Sequence, residues 1–85
     1  MKNVEIYTTP FCPYCHAAKA LLQKKGVAFK EIDVSRDPSL RQSMTARANG
    51  RRTVPQIFIG GVHVGGCDDL HELESRKGLD PMLAG

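Results

Sequence analysis

Two thiols, Cys12 and Cys15, stand three positions apart in the run Cys12-Pro13-Tyr14-Cys15-His16, where a strand pattern gives way to a helical one. Cysteines so placed can exchange electrons by making and breaking a disulfide. Thiolate is the attacking species. A free cysteine near pKa 8.5 is mostly protonated at neutral pH, and the N–H groups at a helix start favour the charged form. Cys12 falls at that end; Cys15, one turn inside, receives less of the field and is expected to stay a thiol until needed. Positions i and i+3 of a regular helix lie roughly 5 to 6 Å apart at Cβ, whereas a disulfide wants about 3.5 to 4.5 Å. A residue in the flexible cap position can close that gap. The alternative reading is a pair of packed core cysteines.

The elements that must hold these thiols follow from the pattern of apolar residues. Residues 3 to 8 read as a strand, with Val4 and Ile6 on one face and Glu5 and Tyr7 on the other. Pro13 suits a first helical turn, and the helix is expected to run to Lys25 with Tyr14, Ala18, Leu21 and Leu22 as its apolar stripe and Gly26 as its stop. Val27 to Val34 reads as a second strand whose alternation slips between Phe29 and Ile32. Strand, helix and strand make a βαβ unit, which requires a parallel pair. Asp37-Pro38 opens a second helix with a narrow stripe of Leu40, Met44 and Ala48, ending at Asn49-Gly50. Val54 to Ile59, Gly60-Gly61 and Val62 to Val64 read as a hairpin, and Cys67-Asp68-Asp69 opens a last helix with Leu70 and Leu73 inward and Gly78 as its stop. Residues 79–85 are expected to form a short tail. The order is β-α-β-α-β-β-α, an α/β fold.

Composition narrows the function. At 85 residues the chain is expected to form one small domain, residues 1–85, and 41% hydrophobic residues without low-complexity runs favour a folded globule. No stretch approaches the roughly 20 apolar residues of a membrane helix, and neither end reads as a targeting segment. A cytoplasmic monomer is expected, with no membrane role. Three cysteines are too few for a disulfide scaffold and point to redox, metal or burial roles. The net charge of +3 includes Arg41, Arg47, Arg51 and Arg52, but no aromatic residues are interleaved to stack bases. Nucleic acid is therefore disfavoured against small anions and acidic proteins.

That order of elements, together with Cys12-Pro13-Tyr14-Cys15, Thr53-Val54-Pro55 and Gly65-Gly66-Cys67-Asp68-Asp69, resembles the glutaredoxins of the dithiol, bacterial type, small members of the thioredoxin fold. The resemblance covers nearly the whole chain. It implies a four-stranded mixed sheet flanked by three helices, and glutathione-dependent reduction of disulfides and of protein–glutathione mixed disulfides. Cys12 matches the nucleophile and Cys15 the resolving thiol. Tyr14 matches a residue flanking the glutathione cysteine, Thr53 and Val54 the segment that pairs with the glutathione backbone, and Pro55 a proline that is cis throughout the family. Gly66, Cys67, Asp68 and Asp69 match the loop and helix start that hold the γ-glutamyl end. The implied co-substrate and electron donor is glutathione, with no bound cofactor and no metal. The implied partners are glutathionylated or disulfide-containing proteins, a ribonucleotide reductase among them. One departure stands out: many relatives carry a lysine three residues before the first cysteine, and here that position is Thr9.

The residues support the same reading physically. Proline cannot donate to a ladder, so an edge before Pro55 offers N–H and C=O groups to a peptide ligand. A helix start at Cys67-Asp68 offers N–H groups to a carboxylate, and Asp68 or Asp69 can meet an ammonium. The bland alternatives are an ordinary strand entry and simple helix capping. Cys67 reads as a small packed residue before a reactive thiol. Cys12-x-x-Cys15-His16 also fits a c-type haem attachment, with Met44 or Met82 as second axial ligand, but the surrounding βαβ pattern opposes it. A zinc set of Cys12, Cys15, Cys67 and His63 or His71 lacks a second tightly spaced pair, and His16, His63 and His71 read as surface or boundary residues. A cluster bridged between two chains belongs mostly to relatives with a single thiol, and Pro13 opposes it.

Overall fold

A computed structural model describes residues 1–84. Its elements are β1 (Val4–Thr8), α1 (Pro13–Lys24), β2 (Lys30–Asp33), α2 (Pro38–Arg47), β3 (Gln56–Ile59), β4 (Val62–Gly65), α3 (Cys67–Ser75) and α4 (Leu79–Ala84). The sheet runs β2-β1-β3-β4, with β1 parallel to β2 and antiparallel to β3, and β3 antiparallel to β4. This is the four-stranded mixed sheet expected.

Strand β1 is central, so its side chains are covered on both faces. Val4 and Ile6 pack with Ile57, Ile59 and the inner stripe of α1 and α3, namely Ala18, Leu22 and Leu70. The alternate residues Tyr7 and Phe58 form a second cluster with Val34, with Met44 of α2 and with Ala48, which caps that helix. Tyr7 and Phe58 meet edge to face at 5.7 Å. Arg47 seals that cluster: its guanidinium lies 4.0 Å above the Phe58 ring, grips both oxygens of Glu5 and donates to Tyr7 Oη at 3.1 Å. Helices α1, α3 and α4 thus pack in the first cluster, on one face of the sheet, and α2 in the second, on the other.

The capping chemistry matches the expected starts. Asp37 accepts from Ser39 N–H at 2.9 Å with Pro38 in the first turn of α2. Gly60 and Gly61 turn the hairpin with φ of 58° and 81°, a conformation that suits the twist of paired strands.

Four expectations are corrected. Tyr14 does not join the buried stripe of α1: it is 65% exposed, and Cys15 takes its place beside Ala18, Leu21 and Leu22. The second strand is shorter than residues 27–34, because Val27 and Phe29 turn into the core before pairing begins at Lys30. The third strand starts at Gln56, so Val54 and Pro55 lie outside the ladder. Residues 79–84 form α4 in addition to the three expected helices, with Leu79 and Leu83 buried one turn apart; Gly85 lies outside the described residues. Lys25 bridges Glu74 and Asp80 and so ties α1, α3 and α4 together, while Lys2 N–H donates to Leu83 O at 2.9 Å.

Candidate active site

The loop after β1 carries Cys12 to the cap position of α1, with extended backbone (φ −123°, ψ 103°) and Pro13 as the first helical residue. The Cys15 N–H donates to Cys12 Sγ at 3.1 Å, so the sulfur occupies the place of a capping oxygen at the positive end of the helix. Cys12 Sγ–H in turn lies 3.8 Å from Val54 O. Cys15 is wholly buried, and burial, followed by its contact with Cys12 and the charge that Cys12 bears, pushes its thiol up to about 12. Cys15 is thus held as a thiol, and chiefly by burial, where its place in the helix suggested only a weaker field.

An expected outcome follows for alkylation. Limiting iodoacetamide at pH 7 should modify Cys12 and leave Cys15 and Cys67 free, as read by peptide mass. Cys15 should become reactive only well above pH 9. Equal labelling of Cys12 and Cys15 in the folded protein at pH 7 would contradict the assignment.

A groove of about 150 Å³ opens at Val54, whose carbonyl lies 3.8 Å from Cys12 Sγ. Tyr14, Thr53, Val54 and Pro55 line one part of it, and Gly66, Cys67, Asp68 and Asp69 the other. The eight non-catalytic residues singled out from the sequence thus meet in one place. The Val54–Pro55 bond is cis. Sequence reasoning missed one lining residue, Arg51; an arginine in an exposed loop carries no local signal. Its Nη1 donates to Asp69 Oδ2 at 3.0 Å. Both side chains are more than 40% exposed, so the pair contributes at most about 1 kcal/mol. A larger groove of about 660 Å³ lies between Met1–Glu5 and Ala28–Lys30, but no thiol borders it.

The start of α3 separates the two aspartates. Asp69 accepts from Gly66 N–H at 2.8 Å, and that bond, with Arg51, holds its carboxyl below the usual range. Asp68 is exposed and makes no hydrogen bond or ion pair among the described residues. Cys67 is 8% exposed, packs in the core and lies 3.4 Å from His71 Nδ1; burial first, then the Asp68 charge, raises its thiol. It has the packed character expected. Among the described residues, no group of three or more His, Cys, Asp or Glu is placed to hold a metal ion.

Gly65 is shaped by this corner. Its φ is +122°, and a Cβ there would strike the Asp69 carboxylate and come within 2.8 Å of Arg51 Nη1. Gly65→Ala should lower stability by about 1 to 3 kcal/mol and should loosen the Arg51–Asp69 contact, measured by chemical denaturation and by the Gly66 amide shift.

Comparison with known proteins agrees with this geometry. The family model described as Glutaredoxin matches residues 4–64. The chain is 58% identical over 83 residues to Glutaredoxin 3 of Escherichia coli K12, covering 98% of this chain and 99% of the relative. The solution structure of glutaredoxin from Brucella melitensis superimposes with a TM-score of 0.86 at 60% identity, covering 98% of this chain and 89% of that one. The crystal structure of a buckwheat glutaredoxin–glutathione complex gives a TM-score of 0.90 at 30% identity, with 98% and 77% covered.

Proposed function

Since the chain belongs to the glutaredoxin family and its two thiols make it a thiol–disulfide oxidoreductase, we propose that glutathione is its electron donor and that it reduces protein–glutathione mixed disulfides and protein disulfides. The observation that carries this reading is the Cys12 sulfur, capped by the Cys15 N–H and 3.8 Å from the carbonyl of Val54, which lines a groove built from an irregular peptide edge and a helix start. The buckwheat relative, solved as a glutathione complex, supports the choice of ligand.

On this reading the Cys12 thiolate attacks the glutathione sulfur of a glutathionylated protein. The protein thiolate leaves and takes a proton, and Cys12 keeps the glutathione as a mixed disulfide. The thiolate of a second glutathione attacks the bound glutathione sulfur, releasing glutathione disulfide and the Cys12 thiolate. With a protein disulfide, Cys12 attacks first and the Cys15 thiolate then attacks Cys12 Sγ, expelling the protein thiolate. Two glutathiones reduce the resulting Cys12–Cys15 disulfide. Burial first, and then the contact with Cys12 and its charge, keep Cys15 protonated before the attack; once Cys12 is in a mixed disulfide the contribution of its charge is gone while that of burial remains.

Thr53 and Val54 offer main-chain groups to the tripeptide. The α3 N–H groups face the γ-glutamyl carboxylate, with Arg51 adding a cation nearby. Asp69 is engaged by Gly66 and Arg51, which leaves Asp68 for the γ-glutamyl ammonium. Arg51 supplies within the groove some of the positive charge that Thr9 does not.

One domain acting as a monomer suffices, since one chain holds both thiols and the groove. Protein substrates include disulfide enzymes of the ribonucleotide reductase kind. No helix among the described residues is long and apolar enough to cross a membrane. Three free cysteines suit a reducing compartment, and the reading places the protein in the cytoplasm. The test is NADPH oxidation coupled through glutathione and glutathione reductase, with a small glutathione mixed disulfide as substrate. Turnover is expected; a wild-type protein no faster than the uncatalysed exchange would sink the glutathione mechanism.

A further inference from the structure

The segment before Pro55 has no strand partner, yet two successive carbonyls in it are held by side chains. Arg41 Nε and Nη2 donate to Arg52 O at 3.2 Å each, and Gln56 Nε2 donates to Thr53 O at 2.9 Å. Gln56 is unlike Arg41, which is exposed. It is wholly buried, and its Nε2 also reaches Thr53 Oγ1 at 3.3 Å. A buried carboxamide is costly unless both ends are satisfied. The other end is met by His63, whose Nε2 lies 2.7 Å from Gln56 Oε1.

This arrangement fixes the amide orientation and the ring proton that faces it. Gln56 Nε2 faces the Thr53 carbonyl, so Oε1 is the acceptor toward β4 and His63 Nε2 must carry the hydrogen. The opposite amide orientation would set Gln56 Oε1 against Thr53 O, two acceptors with no proton between them. The His63 ring is itself held, stacked on Phe58 at 5.0 Å with 29° between planes. Phe58 in turn lies beneath Arg47. Protonating His63 at Nδ1 leaves the Nε2 donor in place, so the device is positional and not a pH switch.

We propose that Gln56 is a positioning residue for the Thr53–Val54 edge, and that His63 selects the amide orientation in which Gln56 holds it. The consequence for substrate rests on the glutathione reading; the ordering of the edge is a property of the protein alone. A ladder would keep the edge in place without help. Here the carbonyl of Thr53 depends on one buried side chain, and that side chain depends on β4.

The experiment compares wild type with Gln56→Met, His63→Leu and His63→Gln. Amide line widths and relaxation dispersion are read at Thr53 and Val54, and KM and kcat for a small glutathione mixed disulfide come from the coupled assay. Gln56→Met, which keeps volume and removes the donors, should broaden both amides and raise KM about tenfold, with kcat changed by less than about twofold. His63→Leu should raise KM about threefold, and His63→Gln, which returns a donor toward Oε1, should restore most of that loss. A folded Gln56→Met protein with sharp Thr53 and Val54 signals and unchanged KM overturns the proposal. Equal losses in His63→Leu and His63→Gln overturn the part assigned to His63. Should Gln56→Met fail to fold, the His63 pair decides alone. Broadened amides beside a wild type that turns over no glutathione substrate leave the positioning standing and remove the glutathione reading.

Discussion

Cys12→Ser should reduce both activities to the uncatalysed background while leaving the fold intact. The hydroxyl has no accessible anion near neutral pH, so no nucleophile remains at the head of α1. The structural side of the change is mild. Serine is among the best capping residues, and its oxygen can accept the Cys15 N–H that now meets sulfur at 3.1 Å. Stability should shift by no more than about 0.5 kcal/mol. The measurement is NADPH oxidation in the coupled assay beside a thermal melt. Retained turnover in a well-folded Cys12→Ser protein would move the nucleophile elsewhere, with Cys67 as the remaining thiol of the groove.

Cys15→Ser should separate the two activities. Reduction of a glutathione mixed disulfide needs only Cys12 and an external thiol, so it should persist at a rate within about tenfold of wild type. Reduction of a protein disulfide should fail, because no internal thiol releases the substrate from Cys12, and the trapped adduct should appear by intact mass. The packing cost is real here. Cys15 is wholly buried in the stripe of α1, and a hydroxyl there costs about 1 to 3 kcal/mol unless it finds a partner. Cys15→Ala, which buries no polar group, is the control that separates lost chemistry from lost stability. Loss of both activities in a folded alanine variant would refute the division of labour between the thiols.

Much of this architecture was legible because local signals agreed with one another. Pro13 after Cys12 and Pro38 after Asp37 marked two helix starts, and paired glycines marked a hairpin; each operates through main-chain geometry, which sequence states directly. Where two periodic readings were equally good, only packing could choose. Residues 14, 18, 21 and 22 and residues 15, 18, 21 and 22 both fit a helical face, and the structure buries the thiol and turns Tyr14 outward beside the groove. Helix α4 was hidden by Pro81 in a segment of six residues, whose order comes from Leu79, Leu83 and the Lys25 bridge and not from propensity. The chemistry-bearing residues of the site were readable by their types. Arg51, Gln56 and His63 were not: Arg51 meets Asp69 at the start of α3, 18 residues on, and the hairpin pattern that pairs β3 with β4 does not say that Gln56 turns one end to Thr53 and the other to His63.

The thiols and the groove next to them are held in unlike ways. Cys12 caps α1, and its neighbour Cys15 is embedded in the core on the inner stripe of that helix. The segment from Arg51 to Val54 belongs to no ladder and is moored by Arg41 and Gln56. Such a division separates what yields from what does not: a substitution at Arg41 or Gln56 is expected to loosen the edge while Cys12, its cap and the core around Cys15 stay in place.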